Sequence, residues 1–379
     1  MASLEMTEDR QMLLRTAREM VRERAPTAAL RRVRDAREPD GIDRAFWREL
    51  CELGLPAVAW PEALGGSDLG YAELGLVMEE LGRTLAATPL MASVVLAGEA
   101  VRMAGNATQQ MWLNEVAAGR MLLALAYNEG PHHAPYTCAT RAERSADGYL
   151  LRGRKAFVLD GQNADRILVL ARTSGEASAR AGLTLFAVER TTPGLEIQRL
   201  GMVDARNAAH VILEDVVLKH EAVIGVVDQA SETLEQVFDR ACVLLSAEML
   251  GSASAAFELT LDYLKTRRQF GVLIGTFQGL KHRAADLYTE LALARSVVAD
   301  ALCGLDARRS DQARVASMAK ARLSDLFLRV AAEGIQMHGG IGVTDEHDIG
   351  LFYKRARVTE LLLGDGNFHR DRFARLSGY

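Results

Sequence analysis

Apolar residues recur at intervals of three and four through the first 120 or so positions. Leu13, Ala17, Met20 and Val21 form one stripe, and Tyr71, Leu74, Met78, Leu81 and Leu85 another. Such spacing puts each set on one face of a helix. Trp60-Pro61-Glu62-Ala63-Leu64-Gly65-Gly66 interrupts the helical pattern with a Pro and a Gly pair, which predicts a turn. Pro89 should break the following helix, and Gly119 should cap the last one.

From about Met121 to Gly225 the pattern becomes strand-like. Residues 149–151, 167–170, 183–188 and 211–213 are short apolar runs bounded by Gly, Pro and Asp, and Asp147-Gly148 signals a hairpin. No helical stretch separates these runs, so an antiparallel barrel or sandwich is expected instead of a βαβ sheet. No GxGxxG follows any of them, which argues against a Rossmann site. From Ser231 the pattern is helical again over about 231–267, 278–304, 310–337 and 347–362, predicting an antiparallel four-helix bundle. The fold class read from these patterns is α+β and multidomain. It comprises an N-terminal helical domain (1–120), a central β-domain (121–230) and a C-terminal helical bundle (231–379).

Composition changes this picture only at its edges. A chain of 379 residues with 49% apolar and 25% charged residues can bury a large core without disulfide or metal staples. A formal charge of −5 gives no basic stripe for nucleic acid. No uninterrupted apolar run has bilayer-spanning length, so no membrane span is expected. Met1-Ala2-Ser3-Leu4-Glu5 lacks the basic and apolar regions of a secretory signal. Cys51, Cys138, Cys242 and Cys303 are scattered without a CxxC pair. They read as reduced thiols of a cytoplasmic protein and not as a metal site. Adjacent His132 and His133 would point apart in an extended loop, a poor metal pair.

The most specific text lies in the bundle. Tyr263-Leu264-Lys265-Thr266-Arg267-Arg268-Gln269-Phe270-Gly271 leads to Phe277-Gln278. Further on come Gln336-Met337-His338-Gly339-Gly340-Ile341-Gly342 and Tyr353-Lys354-Arg355-Ala356-Arg357. Singly, an Arg before Phe-Gly is a solvated helix end and a Gly pair is a turn. In this order and spacing they resemble the acyl-CoA dehydrogenase family of flavoproteins, with its R-x-x-F-G, F-Q, Q-x-x-G-G-x-G and Y-R-D-A-R segments. The Trp60-to-Gly66 turn resembles that family's P-E-x-x-G-G. Lys155-Ala156-Phe157-Val158-Leu159-Asp160-Gly161 resembles its K-x-W-I-T-N-G strand.

The resemblance implies FAD as cofactor, an acyl-CoA substrate and a tetramer that passes electrons to an acceptor protein. It implies that Arg267 binds the pyrophosphate, that Gln278 and Gln336 make polar FAD contacts, and that Phe157 lies beside the flavin ring. Phe270 belongs to the Arg267 segment, and Asn128 to the loop that replaces the family's T-E-P-x-A-G-S-D. Gly339 and Gly340 would let backbone approach the cofactor. A pyrophosphate requires just such a cation and bare N–H donors.

The departures concern the general base. In the family a Glu removes the substrate α-proton from a Y-E-G-T loop or from the first bundle helix. The first position is Leu363, within Leu362-Leu363-Gly364-Asp365, and the second is Ala241, followed by Cys242 where a substrate-contacting Arg often sits. The main-chain N–H of Leu363 could still polarise a thioester carbonyl. Three carboxylates are candidate substitutes. Asp365 lies two residues past the base position, and Glu248 lies seven residues after Ala241, about 10 Å along the same helix face. Asp239 falls off that face. Tyr127-Asn128-Glu129-Gly130-Pro131-His132-His133 and Leu159 also depart from the flavin-contacting pattern.

The text from Gln336 to Asp348 and at Leu363-Gly364-Asp365 resembles a subgroup that includes the pimeloyl-CoA dehydrogenase small subunit and heterotetrameric steroid side-chain acyl-CoA dehydrogenases. There one subunit type can lose catalytic residues that its partner keeps. The expectation is therefore α,β-desaturation of an acyl-CoA by one subunit of a hetero-oligomer. The alternatives are a flavin-fold oxidase, desulfinase or elimination enzyme, and a non-catalytic structural subunit.

Overall fold

The computed structural model describes residues 5–36 and 40–379. The reading of the N-terminus as lacking a signal falls on Met1–Leu4, outside the described residues, apart from Glu5. The helical elements that open the chain are α1 (Glu8–Arg24), α2 (Thr27–Asp35), α3 (Arg44–Glu52) and α4 (Tyr71–Arg83). A π-helix (Leu90–Gly98) and the short α5 (Glu99–Ala104), α6 (Ala107–Gln110) and α7 (Trp112–Ala117) follow. The strands are β1 (Leu123–Ala126), β2 (Arg141–Ser145), β3 (Gly148–Leu159), β4 (Arg166–Arg172), β5 (Leu183–Glu189), β6 (Leu195–Gly201), β7 (Asn207–Lys219) and β8 (Val223–Ile224). Then come α8 (Ala230–Thr266), a small hairpin of β9 (Arg268–Gln269) and β10 (Val272–Leu273), α9 (Gln278–Asp306), α10 (Gln312–His338), α11 (Ile349–Leu361) and α12 (Gly366–Leu376).

These elements fall into two compact units. The β-unit holds Val33–Gly70 and Ala87–Ala241. Its sheet runs β6-β7-β3-β2-β4-β5-β8, with β1 pairing beside β4. The path is open, so the sheet is not closed as a barrel. The β1–β4 pairing is parallel, so the sheet is not purely antiparallel either. The Asp147-Gly148 hairpin is present, with Ser145 opposite Gly148 in the β2–β3 ladder. β3 is long and bulged, and its register with β7 shifts between Leu151 and Gly153 and again between Lys155 and Val158. Beneath the sheet lies a core that includes Leu151, Ile167, Val169, Phe186, Val188 and Val211. The Trp60-to-Gly66 turn belongs to this unit. Trp60 is buried and donates from Nε1 to Glu99 Oε1 at 3.0 Å. Gly66 is required there, because a Cβ would lie 2.0 Å from the Trp60 carbonyl oxygen.

The bundle unit holds the segment ending at Arg32, Tyr71–Ala86 and Cys242–Tyr379. On α4 the expected stripe of Leu74, Met78 and Leu81 is buried. α4 meets α8 closely enough for backbone contact. A Cβ on Gly82 would lie 2.1 Å from Glu248 O, one on Gly251 would lie 1.9 Å from Glu79 O, and Ser252 Oγ donates to Gly82 O at 2.8 Å. α8 to α11 match the four helices expected from the pattern within a few residues. α12 is additional to that bundle and was hidden by its low apolar content. Of the described helices, α8 is long and apolar enough to meet a membrane-span criterion by length and composition, although charged residues such as Arg240 and Glu248 interrupt it. Its most apolar stretch is 83% buried in protein, so it is a core helix.

Candidate active site

Within the bundle unit, the implied cofactor residues gather at two adjoining helix ends. Tyr263, near the end of α8, packs its ring 4.5 Å from that of His338 at the end of α10. One turn beyond Tyr263, Arg267 leaves the helix, its N–H bonded to Tyr263 O at 2.9 Å and its side chain exposed. The β9–β10 turn places Phe270 (φ +53°) and Gly271 (φ +81°) in left-handed conformations. Phe270 is 91% exposed, and its ring meets that of Phe277 edge-on at 6.2 Å. Gln278, the first residue of α9, is exposed. At the other end, Gln336 is exposed, and its carbonyl accepts from Gly339 N–H, which stops α10. Gly339 has φ +65°, and a Cβ on either Gly339 or Gly340 would meet nothing within 4 Å. An exposed cation, two side-chain amides and a bare glycine pair form a donor set that fits an anionic dinucleotide.

In the β-unit, Asn128 and Phe157 are neighbours, since Ala156 N–H donates to Asn128 O at 2.8 Å. Phe157 sits on the second β3 bulge at φ +52° and is 46% exposed. A non-glycine residue held in the left-handed region and presenting an aromatic face outward marks a built feature. Asn128 itself is engaged inside its loop. Its Nδ2 donates to Gly130 O at 2.7 Å, and its Oδ1 accepts from Ala134 N–H at 3.3 Å. It therefore shapes the loop through its side chain.

Sequence reasoning missed the pair that locks this region. Lys155 is wholly buried and donates to Glu129 Oε1 at 2.6 Å, while Glu129 also accepts from the N–H groups of Ala139 and Thr140. Burial works against the Glu129 carboxylate. The Lys155 ammonium and these donors outweigh it and hold the carboxyl down to about 2. Both residues stood in the quoted family segments, and a charged residue amid the apolar text of β3 was the available signal. His133 Nδ1 lies 3.1 Å from Tyr127 Oη, and His132 is exposed. Among the described residues no His, Cys, Asp or Glu group is placed to hold a metal ion.

The two base positions hold no carboxylate. Ala241, on α8 in the β-unit, is fully buried. Leu363 lies in the turn between α11 and α12, 1% exposed and at φ +61°. Its carbonyl accepts from His369 Nε2 at 2.9 Å. Its own N–H has no acceptor among the described residues. Leu362 N–H and Gly364 N–H, on either side, are bonded to Val358 O and Leu361 O.

The carboxylates considered as substitutes have other partners. Asp365 is the N-cap of α12 and accepts from Phe368 N–H at 2.8 Å. Glu248 is buried and accepts from Arg355 Nε at 3.0 Å and Nη2 at 2.6 Å, a bidentate donor on a single oxygen. Asp239 is buried. Cys242 Sγ lies 3.8 Å from His369 Nε2 beneath the Leu363 turn.

Comparison with known proteins identifies the family and the fold. The chain matches the models named acyl-CoA dehydrogenase N-terminal domain over residues 7–120, middle domain over 129–216 and C-terminal domain over 232–377. It is 33% identical over 363 residues to acyl-CoA dehydrogenase IpdE2 of Mycobacterium tuberculosis, covering 94% of this chain and 93% of that protein. Butyryl-CoA dehydrogenase from Megasphaera elsdenii superposes with a TM-score of 0.89 at 25% identity, covering 99% of both chains. A variant of the steroid ACAD Tcur3481-Tcur3483 superposes with a TM-score of 0.87 at 31% identity, covering 98% of both. The chain belongs to the acyl-CoA dehydrogenase family, flavin-dependent oxidoreductases that desaturate acyl-CoA thioesters.

Proposed function

We propose that this chain binds FAD and an acyl-CoA, supplies the thioester-polarising donor, and brings no general base of its own. It then works beside a paralogous, Glu-bearing subunit in a hetero-tetramer. The observation that carries this reading is Leu363: a buried, left-handed residue whose N–H is open and whose side chain cannot take a proton. Two nearby carboxylates, Asp365 and Glu248, have structural partners, which supports taking neither as the base. Asp239 is likewise not proposed.

In this reading Arg267 pairs with the pyrophosphate, with Gln278, Gln336 and the Gly339-Gly340 backbone beside it. Phe270 covers that end of the cofactor, and Asn128 shapes the loop next to Phe157. FAD supplies the hydride acceptor for the substrate β-carbon. Leu363 N–H donates to the thioester carbonyl oxygen and stabilises the charge that develops there as the α-proton leaves. That proton goes to a carboxylate of the paralogue. The three-part division at 120 and 230 is the working map for these roles.

A bulky acyl group is the proposed substrate class, because a 31%-identical structural relative is a steroid ACAD. Electrons leave to an acceptor protein. The four cysteines form no disulfide, which agrees with a cytoplasmic setting.

The test is expression with and without a Glu-bearing paralogue, scoring flavin absorbance and acyl-CoA-dependent dye reduction. The reading expects activity only from the mixture. A homotetramer fully active alone overturns the subunit assignment. CoA-thioester binding without an enoyl-CoA product would point to other flavin chemistry. Absence of flavin even with the partner would point to a structural subunit.

A further inference from the structure

The turn that presents Leu363 N–H is tied down from beneath by side chains of two other helices. Lys320, on α10, is wholly buried. Its Nζ donates to Ser324 Oγ at 3.0 Å, Glu360 O at 3.0 Å and Gly364 O at 2.9 Å. An ammonium has three N–H donors and no acceptor, so these three oxygens satisfy it fully. His369, on α12, donates from Nε2 to Leu363 O. The carbonyls of residues 360, 363 and 364 are therefore all held by side chains. Leu363 is at φ +61°, a costly conformation for a non-glycine residue, and it is followed by Gly364 at φ +101°, which glycine adopts freely. Strain of this kind persists only where its surroundings over-determine it. In between, the Leu362–Leu363 peptide keeps its N–H free of any internal acceptor among the described residues.

We propose that Lys320 is a positioning residue for the reaction. Its three bonds, with that of His369, fix the turn so that Leu363 N–H stays available as a donor, without Lys320 touching substrate. The inference rests on the reading above that this N–H polarises the thioester.

The protonation state of the amine matters to this device. Burial leads and pulls Lys320 down to about 8, although Cys242 on α8, Glu360 on α11 and Asp365 at the start of α12 each favour the charged form. His369 also faces the turn from α12. Above that pH a neutral amine keeps two N–H donors for three acceptors, and the turn loosens.

The experiment compares wild type with Lys320→Met, a chain of similar length without donors, in the complex in which the wild-type chain is active. Steady-state kinetics across about pH 7 to 9.5 are read beside amide exchange of the peptide spanning 360–365. The expected results are kcat lower by about 10- to 100-fold with KM little changed, loss of the wild-type alkaline limb near pH 8, and faster exchange confined to that peptide. A folded variant with wild-type kcat and the same limb overturns the proposal. If Lys320→Met does not fold, the wild-type pH series decides. Exchange and kcat changing together near pH 8 uphold the proposal, and flat exchange overturns it. If wild type shows no acyl-CoA turnover, the functional reading has failed. The exchange comparison alone then judges the turn: faster exchange in the variant upholds it and unchanged exchange overturns it.

Discussion

Three buried charged side chains, Lys155, Glu248 and Lys320, illustrate how this protein uses ions at the scale of single residues. Each is matched to a specific partner set, because a buried charge without one is costly. Glu248 faces Arg355, so Glu248→Gln should destabilise the fold by about 3–5 kcal/mol, read as a lower urea midpoint. The double change to Gln and Met should recover part of that loss. If Glu248 were the base, Glu248→Gln would abolish turnover in protein that is still folded, and the double change would not restore it. The Glu129–Lys155 pair gives a pH signature. The folded carboxyl sits near 2, below its unfolded value of about 4.3. Its stabilisation is present above the unfolded value and lost as pH falls from there towards 2. Glu129→Gln should flatten that part of the stability profile, measured by urea unfolding between about pH 5 and 3. Lys320 gives a slope of the same sign in a different window, because burial penalises its charged form. Its folded value of about 8 lies below the unfolded value of about 10.4, so the unfolded chain binds more protons between them. Stability from this group rises with pH across that window, while the proposed hold on Leu363 weakens.

At the scale of elements, the helices were legible because their apolar periodicity is also their packing face. α4 and α8–α11 appear where Leu74, Met78 and the bundle stripes predict them. α12 was not legible, because it begins at the Asp365 cap and carries few apolar residues. Of the eight strands in the main sheet, only those in β3, β4, β5 and β7 had apolar runs strong enough to read. β2 and β6 are largely exposed, and the parallel pairing of β1 with β4 is set by tertiary contacts that no local pattern encodes. The site follows the same logic. Arg267, Gln336 and the glycine pair could be named through the resemblance to the family, but the Lys320 anchor could not be named from any motif. Its clue was subtler: Lys320 shares a helical stripe with Ala316, Leu323 and Phe327, all buried. The α4–α8 crossing makes a further prediction. Gly251→Ala would place a methyl group 1.9 Å from Glu79 O, and a backbone atom cannot step aside cheaply. A loss of about 1–3 kcal/mol should appear as a lower melting temperature, and a neutral outcome would show that α4 can move away.

At the scale of the whole molecule, the chain has the family's three-part framework, and the two positions at which the resemblance implies a base are Leu363 and Ala241. It also holds a donor set that fits an anionic cofactor, a bulge that presents Phe157 and a left-handed residue at Leu363. A chain released from all function would have no physical reason to hold Leu363 in a left-handed conformation over a buried lysine. The most direct measurement is single-turnover flavin bleaching by an acyl-CoA substrate, using the chain purified alone, the same chain carrying Leu363→Glu, and the complex with its Glu-bearing paralogue. The account predicts no bleaching by the wild-type chain alone, and bleaching both by the Leu363→Glu chain and by the complex. Full-rate bleaching by the wild-type chain alone would contradict it.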